Sequence, residues 1–156
     1  MNVTILFDSI FGNTAKVAHA VADALGRDNQ VRLATMQDAG ETDLSSTDLL
    51  IIGSPTRGFR PTPQIQEYLA GLDGFPNGMV AAVFDTRLDL ETVQPEPLRW
   101  VIDVGGYANH HMAAALRGHG IELRGAPGAF LVTGNEGPLK AGEIERAREW
   151  ARTLIG

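Results

Sequence analysis

The sequence contains no cysteine. That excludes a disulfide framework, a thiolate metal site and a cysteine nucleophile, so any redox chemistry has to come from a bound cofactor. It also fits a cytoplasmic location. No block of Lys or Arg occurs, and 13 basic against 19 acidic residues give a formal charge of −6. A chain of that balance is not expected to hold a phosphate backbone, which argues against a nucleic-acid partner. No apolar run approaches the ~20 residues of a membrane span, and no basic leader precedes the first strand-like segment, so a soluble, unprocessed chain is expected. Internal repeats, low-complexity tracts and linkers are absent as well. Two phosphate motifs are missing, G-x-G-x-x-G and G-x-x-x-x-G-K, which leaves dinucleotide and P-loop readings without their fingerprints.

What is present is a chain of 156 residues with 44% hydrophobic content, enough for one core and one domain over 1–156. Asn2 to Phe7 is short, branched and apolar, the pattern of a strand buried on both faces. From Ala15 onward, Val17, Val21 and Leu25 recur every fourth residue and predict a helix stopping near Gly26. Gln30 to Ala34 alternates, as an edge strand does, and the polar stretch from Thr35 to Asp48 has room for a short helix at most. Leu49 to Ile52 and Met79 to Phe84 are further buried runs; Pro61 or Pro63 suits the first turn of a helix carrying Ile65, Leu69 and Leu72. A short helix is predicted within Leu98 to Val104, another from about Tyr107 to Arg117, a last strand over Phe130 to Val132, and a closing helix with Ile144, Ala147, Ala151 and Leu154 on one face. On the exposed side of that helix, Glu145 with Arg148 and Glu149 with Arg152 are spaced for ion pairs.

Five strands alternating with helices predict an α/β fold, a three-layer sandwich around a five-stranded parallel sheet. The most apolar strands should be central and the alternating one an edge, which agrees with strand order 2-1-3-4-5. In that order ligands bind at the carboxyl ends of strands one and three, where Ser9 to Thr14 would meet Ser54 to Arg60.

The turn Ser9-Ile10-Phe11-Gly12-Asn13-Thr14 places two hydroxyls, an amide and several backbone N–H groups at a helix start. Such a nest binds a phosphate without requiring a Lys. A mononucleotide phosphate fits it best. This turn resembles the Ser/Thr-x-Thr-Gly-Asn-Thr phosphate loop of the flavodoxin family, Gly53-Ser54-Pro55-Thr56 resembles the start of its second flavin loop, and a third loop would begin at Asp85. The resemblance extends over essentially the whole chain and is to the short-chain type. It implies FMN as cofactor, with Ser9, Ile10, Phe11, Gly12, Asn13 and Thr14 around its phosphate. It further implies Ser54, Pro55, Thr56, Arg57, Gly58 and Phe59 in the second loop, and Asp85, Thr86 and Arg87, with the backbone as far as Leu88, along the isoalloxazine. The implied function is electron transfer to redox partner proteins or a small-molecule acceptor, with no side chain acting as acid, base or nucleophile. An FMN-dependent reductase or oxidase of a quinone-like or porphyrin-like substrate is the alternative, with residues 87–106 as a lid; a flavin-free binding or regulatory role is the third.

Three positions differ from the family pattern. Phe11 stands where the pattern has a phosphate-binding Thr; Arg57 stands where an aromatic ring-stacker is common; no aromatic follows Asp85 closely. Phe59, Trp100 and Tyr107 are the candidates to cover the ring. A cationic Arg57 or Arg87 near the ring would favour an anionic reduced flavin and a less extreme low potential. Asp8 is also where a phospho-acceptor of the same topology would have an acid, but Gly53 stands at the end of the third strand where that chemistry needs another. Neighbouring His110 and His111 point to different sides of a helix and find no third metal ligand. Trp150 reads as packing, and Glu136-Gly137-Pro138-Leu139 as a turn without chemistry.

Overall fold

The computed structural model describes residues 1–57, 60–89, 107–134 and 136–155. Its elements in chain order are β1 (Asn2–Phe7), α1 (Asn13–Leu25), β2 (Gln30–Thr35), α2 (Met36–Ala39), β3 (Leu49–Pro55), α3 (Pro63–Ala70), β4 (Val80–Leu88), α4 (Ala108–Gly118), β5 (Glu122–Leu123), β6 (Gly128–Val132) and α5 (Glu143–Thr153). All strand pairs are parallel, in the order β2-β1-β3-β4, and the position beyond β4 is shared by two pieces. There β5 pairs with Val80 and Ala81, and β6 with Phe84 through Leu88. The expected order and three-layer architecture hold, with the fifth strand divided.

The period of two along each strand sorts side chains between two cores. Val3, Ile5, Phe7, Leu49, Ile51 and Phe84 face α1 and α5, whereas Leu6, Leu50, Ile52, Ala81 and Val83 face α2, α3 and α4. Val17, Val21 and Leu25 are fully buried, as their spacing predicts. Burying each such side chain stabilises the fold by roughly 1.5–3 kcal/mol. Gly53 in β3 exists because Phe84 occupies its side-chain space: a Cβ there would lie 2.1 Å from the Phe84 ring. Gly128 does the same for a cluster in which Phe84, Phe130 and Trp150 meet edge to face with centroids 5.8 to 6.1 Å apart. The packing expected of Trp150 is therefore specific, and its indole N–H also donates to the Ala126 carbonyl.

Three boundaries differ from expectation. Helix α1 starts at Asn13 rather than Ala15, because Gly12 takes a left-handed φ of +91° and turns the chain directly into the helix. Strand β4 runs on through Asp85, Thr86 and Arg87: the first two pair with β3 on one side and all three with β6 on the other, so these residues are strand rather than loop. On α5 the Glu145–Arg148 pair forms at 3.1 Å, but Arg152 approaches Glu145 at 3.9 Å rather than Glu149. The helix predicted within 98–104 lies outside the described residues. Among the described residues no helix is long and apolar enough to cross a membrane.

Candidate functional site

A cleft opens at the carboxyl ends of β1, β3, β4 and β6. It is lined by Ser9, Ile10, Phe11, Asn13 and Thr14 from the first turn, by Pro55, Thr56 and Arg57 after β3, by Thr86, Arg87 and Leu88 at the end of β4, and by Val132 and Gly134 after β6. This is the switch point of the sheet, where neighbouring crossovers leave it in opposite directions.

The first turn bonds some of its backbone donors internally and leaves others open. Ser9 Oγ accepts the N–H groups of Gly12 at 3.1 Å and Ala15 at 3.3 Å, and the Asp8 carboxylate accepts that of Ser9 at 3.0 Å. The N–H groups of Ile10, Phe11, Asn13 and Thr14 then meet no protein acceptor among the described residues. Unpaired donors at a helix start concentrate positive potential and suit an anion. The side chains around them are already engaged. Thr14 Oγ1 lies 2.7 Å from Thr86 Oγ1 in a buried pair, and the Asn13 amide donates to the Glu136 carbonyl at 3.0 Å. Gly137 packs so closely on Asn13 that a Cβ would fall 2.6 Å from its amide nitrogen. The turn at 136–139, which carries no chemistry in the sequence reading, thus clamps the anion turn from behind.

The far wall is organised differently. Asp85 is completely buried, and its carboxylate takes a bidentate bond from Arg87 at 2.9 and 2.8 Å and the Asn109 backbone N–H at 2.9 Å. Burial pushes the Asp85 carboxyl above its ordinary pKa, while Arg87, the Asn109 N–H and the Thr56 hydroxyl draw it back. The Arg87 guanidinium also stacks on the Tyr107 ring at 3.5 Å from its centroid. Thr56 joins the same assembly: its hydroxyl accepts the Ala108 N–H at 3.1 Å, fixing the start of α4 against the second loop.

Of the residues expected at the site, Ser9, Ile10, Phe11, Asn13, Thr14, Pro55, Thr56, Arg57, Thr86 and Arg87 line the cleft together. Gly12 shapes the turn without lining it. Ser54 and Asp85 are buried behind the wall, and Ser54 Oγ holds the second loop closed by accepting the Thr62 N–H at 3.1 Å. Gly58, Phe59 and Trp100 lie outside the described residues, as does most of the segment expected to form a lid. Leu88, expected to line the ring through its backbone, is in the lining too, whereas Val132 and Gly134 are additions that the sequence does not indicate. Among the described residues no group of three or more His, Asp or Glu side chains could hold a metal, and the His110 and His111 rings meet edge to face at 6.0 Å.

A sequence profile described as Flavodoxin matches residues 5–86. Among solved structures, a flavodoxin from the domain Archaea superposes with a TM-score of 0.77 at 15% identity, covering 99% of this chain and 96% of its own. A short-chain flavodoxin associated with a non-canonical PDU bacterial microcompartment gives 0.72 at 18%, over 99% and 97%. The rubredoxin oxygen:oxidoreductase of Desulfovibrio gigas gives 0.73 at 20%, over 98% of this chain but 35% of that one, so the chain spans about a third of that protein's length. Comparison with curated proteins returned no match.

Proposed function

The chain belongs to the flavodoxin family, and from that premise we propose that it works as a single domain over 1–156 that carries electrons on FMN between redox partners. The observation that carries the reading is the anion turn itself: four backbone N–H groups in and just before the head of α1 that meet no acceptor among the described residues, beside a cleft walled by the ends of three further strands. These residues fit a flavin mononucleotide, because the turn offers donors for a phosphate and the neighbouring walls offer a mixed surface for the rest of the molecule.

When bound, FMN supplies the one- and two-electron redox chemistry. The amides of Ile10, Phe11, Asn13 and Thr14 hold the phosphate, and the Ser9 hydroxyl keeps the turn in shape. Pro55, Thr56 and Arg57 on one side, with Thr86, Arg87 and Leu88 on the other, flank the ribityl chain and ring. Ser54 and Asp85 act from behind, by fixing the second loop and by anchoring Arg87 and α4. Arg87 brings little net charge to the cofactor, since Asp85 matches it. Oxidoreductase chemistry is limited to electron exchange with a partner protein or small-molecule acceptor, in the cytoplasm.

The test is an absorption spectrum of the purified chain. Flavin absorption that survives desalting, or that returns when FMN is added, supports the reading; a chain that takes up no FMN overturns it. Supplying NAD(P)H and a quinone to the loaded protein then checks the carrier role. Turnover is expected only when a separate reductase is present, and turnover without one would make the protein an enzyme.

A further inference from the structure

The anion turn has too few free side-chain donors for the charge it is asked to hold. Phe11 contributes no hydroxyl, Thr14 is paired with Thr86, and Asn13 is paired with the Glu136 carbonyl. A carboxylate also belongs to this turn: Asp8 bonds the Ser9 N–H. A phosphate monoester near neutral pH carries close to two negative charges. Backbone donors and the Ser9 hydroxyl would hold it close to the Asp8 carboxylate, with no cation from the turn itself.

The second loop answers this. Arg57 lines the cleft, and its guanidinium carbon lies 5.6 Å from the centroid of the Phe11 ring, within the anion turn. Unlike Arg87, it has no carboxylate partner among the described residues. Its backbone is fixed independently of its side chain, because Arg57 and Arg60 exchange N–H to carbonyl bonds at 2.8 and 3.0 Å. The aromatic face of Phe11 thus seats a free cation at the edge of the nest. Lys16, the other nearby cation, is exposed on α1 and does not line the cleft.

We propose that Arg57 is a specificity-determining residue that reads the phosphate charge of the bound flavin, with Phe11 as the platform that holds its guanidinium over the turn. This rests on the FMN reading above and goes beyond it, by assigning the recognition of the dianion to a side chain of the second loop. It makes Phe11 and Arg57 a functional pair: the ring that displaces a hydroxyl positions the charge that replaces it.

The experiment measures dissociation constants of the full-length apoprotein for FMN and riboflavin by flavin fluorescence titration, at low and high salt, for the wild type and for Arg57→Gln, Arg57→Lys and Lys16→Gln. The expected result is a drop of roughly tenfold in the preference of Arg57→Gln for FMN over riboflavin, the scale of about 1.4 kcal/mol, with riboflavin affinity falling far less than FMN affinity. Arg57→Lys should recover part of that preference, Lys16→Gln should leave it intact, and high salt should narrow the gap between wild type and Arg57→Gln. An unchanged FMN-to-riboflavin ratio in Arg57→Gln would overturn the proposal while leaving FMN binding standing, as would equal losses for both ligands or an equal effect in Lys16→Gln. A wild type that binds neither flavin would instead overturn the parent reading, and this one with it.

Discussion

Two walls of one cleft are built on opposite plans. At the Ser9 to Thr14 turn the polar side chains of Ser9, Asn13 and Thr14 are engaged by the protein, and four backbone donors have no acceptor among the described residues. At the end of β4 the backbone is consumed by pairing on both sides, and a buried Asp85 closes a bidentate bond to Arg87. The first wall is unfinished without a ligand. The second is complete without one. A buried charge needs its partner whether or not anything binds, whereas unpaired amides at a helix start can wait in contact with water. The difference separates what recognises the cofactor from what holds the cleft open for it.

The largest effect is expected from breaking the finished wall. Arg87→Met strands the Asp85 carboxylate in the interior and should cost about 3 kcal/mol of stability, measured as a lowered denaturation midpoint of the apoprotein. If the variant were as stable as the wild type, the two walls would not differ in the way described. Thr14→Val comes next. Its hydroxyl is bonded to Thr86 rather than held free, so the substitution should cost about 1–2 kcal/mol of stability by chemical denaturation. The FMN-to-riboflavin preference should fall less than it does for Arg57→Gln.

The smallest effect concerns a second carboxylate anchor, at the head of α5. Glu143 accepts the Leu131 N–H at 2.7 Å and both arms of Arg146, which also reaches the Ala129 carbonyl. Burial works to raise its pKa, but Arg146, the Leu131 N–H and Lys140 outweigh it and hold the carboxyl below its ordinary value. A carboxyl depressed in the fold stabilises it above the unfolded value of about 4.3, and that contribution is lost as pH falls through the lower folded value. Glu143→Gln should therefore cost about 1 kcal/mol at neutral pH, with the two stability curves converging as the solution is acidified below pH ~4. Curves that stay parallel would show that the charge of Glu143 does not anchor the helix as the charge of Asp85 anchors α4.

The contrast also explains what the sequence made legible. The strands were readable because uninterrupted runs such as Leu49 to Ile52 can only be buried on both faces, and the order followed from their ranking. The anion turn was readable because its residues are local to one another. The second wall was not, because Asp85, Thr86 and Arg87 are polar and follow an apolar run, which reads as a loop. Only pairing to Pro55 on one side and to Ala129 through Leu131 on the other makes them strand. Nor could spacing show that Asp85 faces inward to Arg87 and the head of α4, contacts 24 residues apart in the latter case. The clamp at Glu136 and Gly137 was missed although a signal existed: in a parallel sheet, the turn after the last strand must emerge at the same edge as the ligand. Its Gly-Pro content by itself marks only a turn.

The most direct test of the central claim, that the open amides of the first turn hold the phosphate, is amide NMR of the apoprotein with FMN and with riboflavin. FMN should shift the Ile10, Phe11, Asn13 and Thr14 amides and protect them from hydrogen exchange. Riboflavin should leave them close to their free positions, and the Asn109 amide, already bonded to Asp85, should be protected from the start. A chain that binds FMN while those four amides stay unshifted and exchange as fast as before would contradict the account.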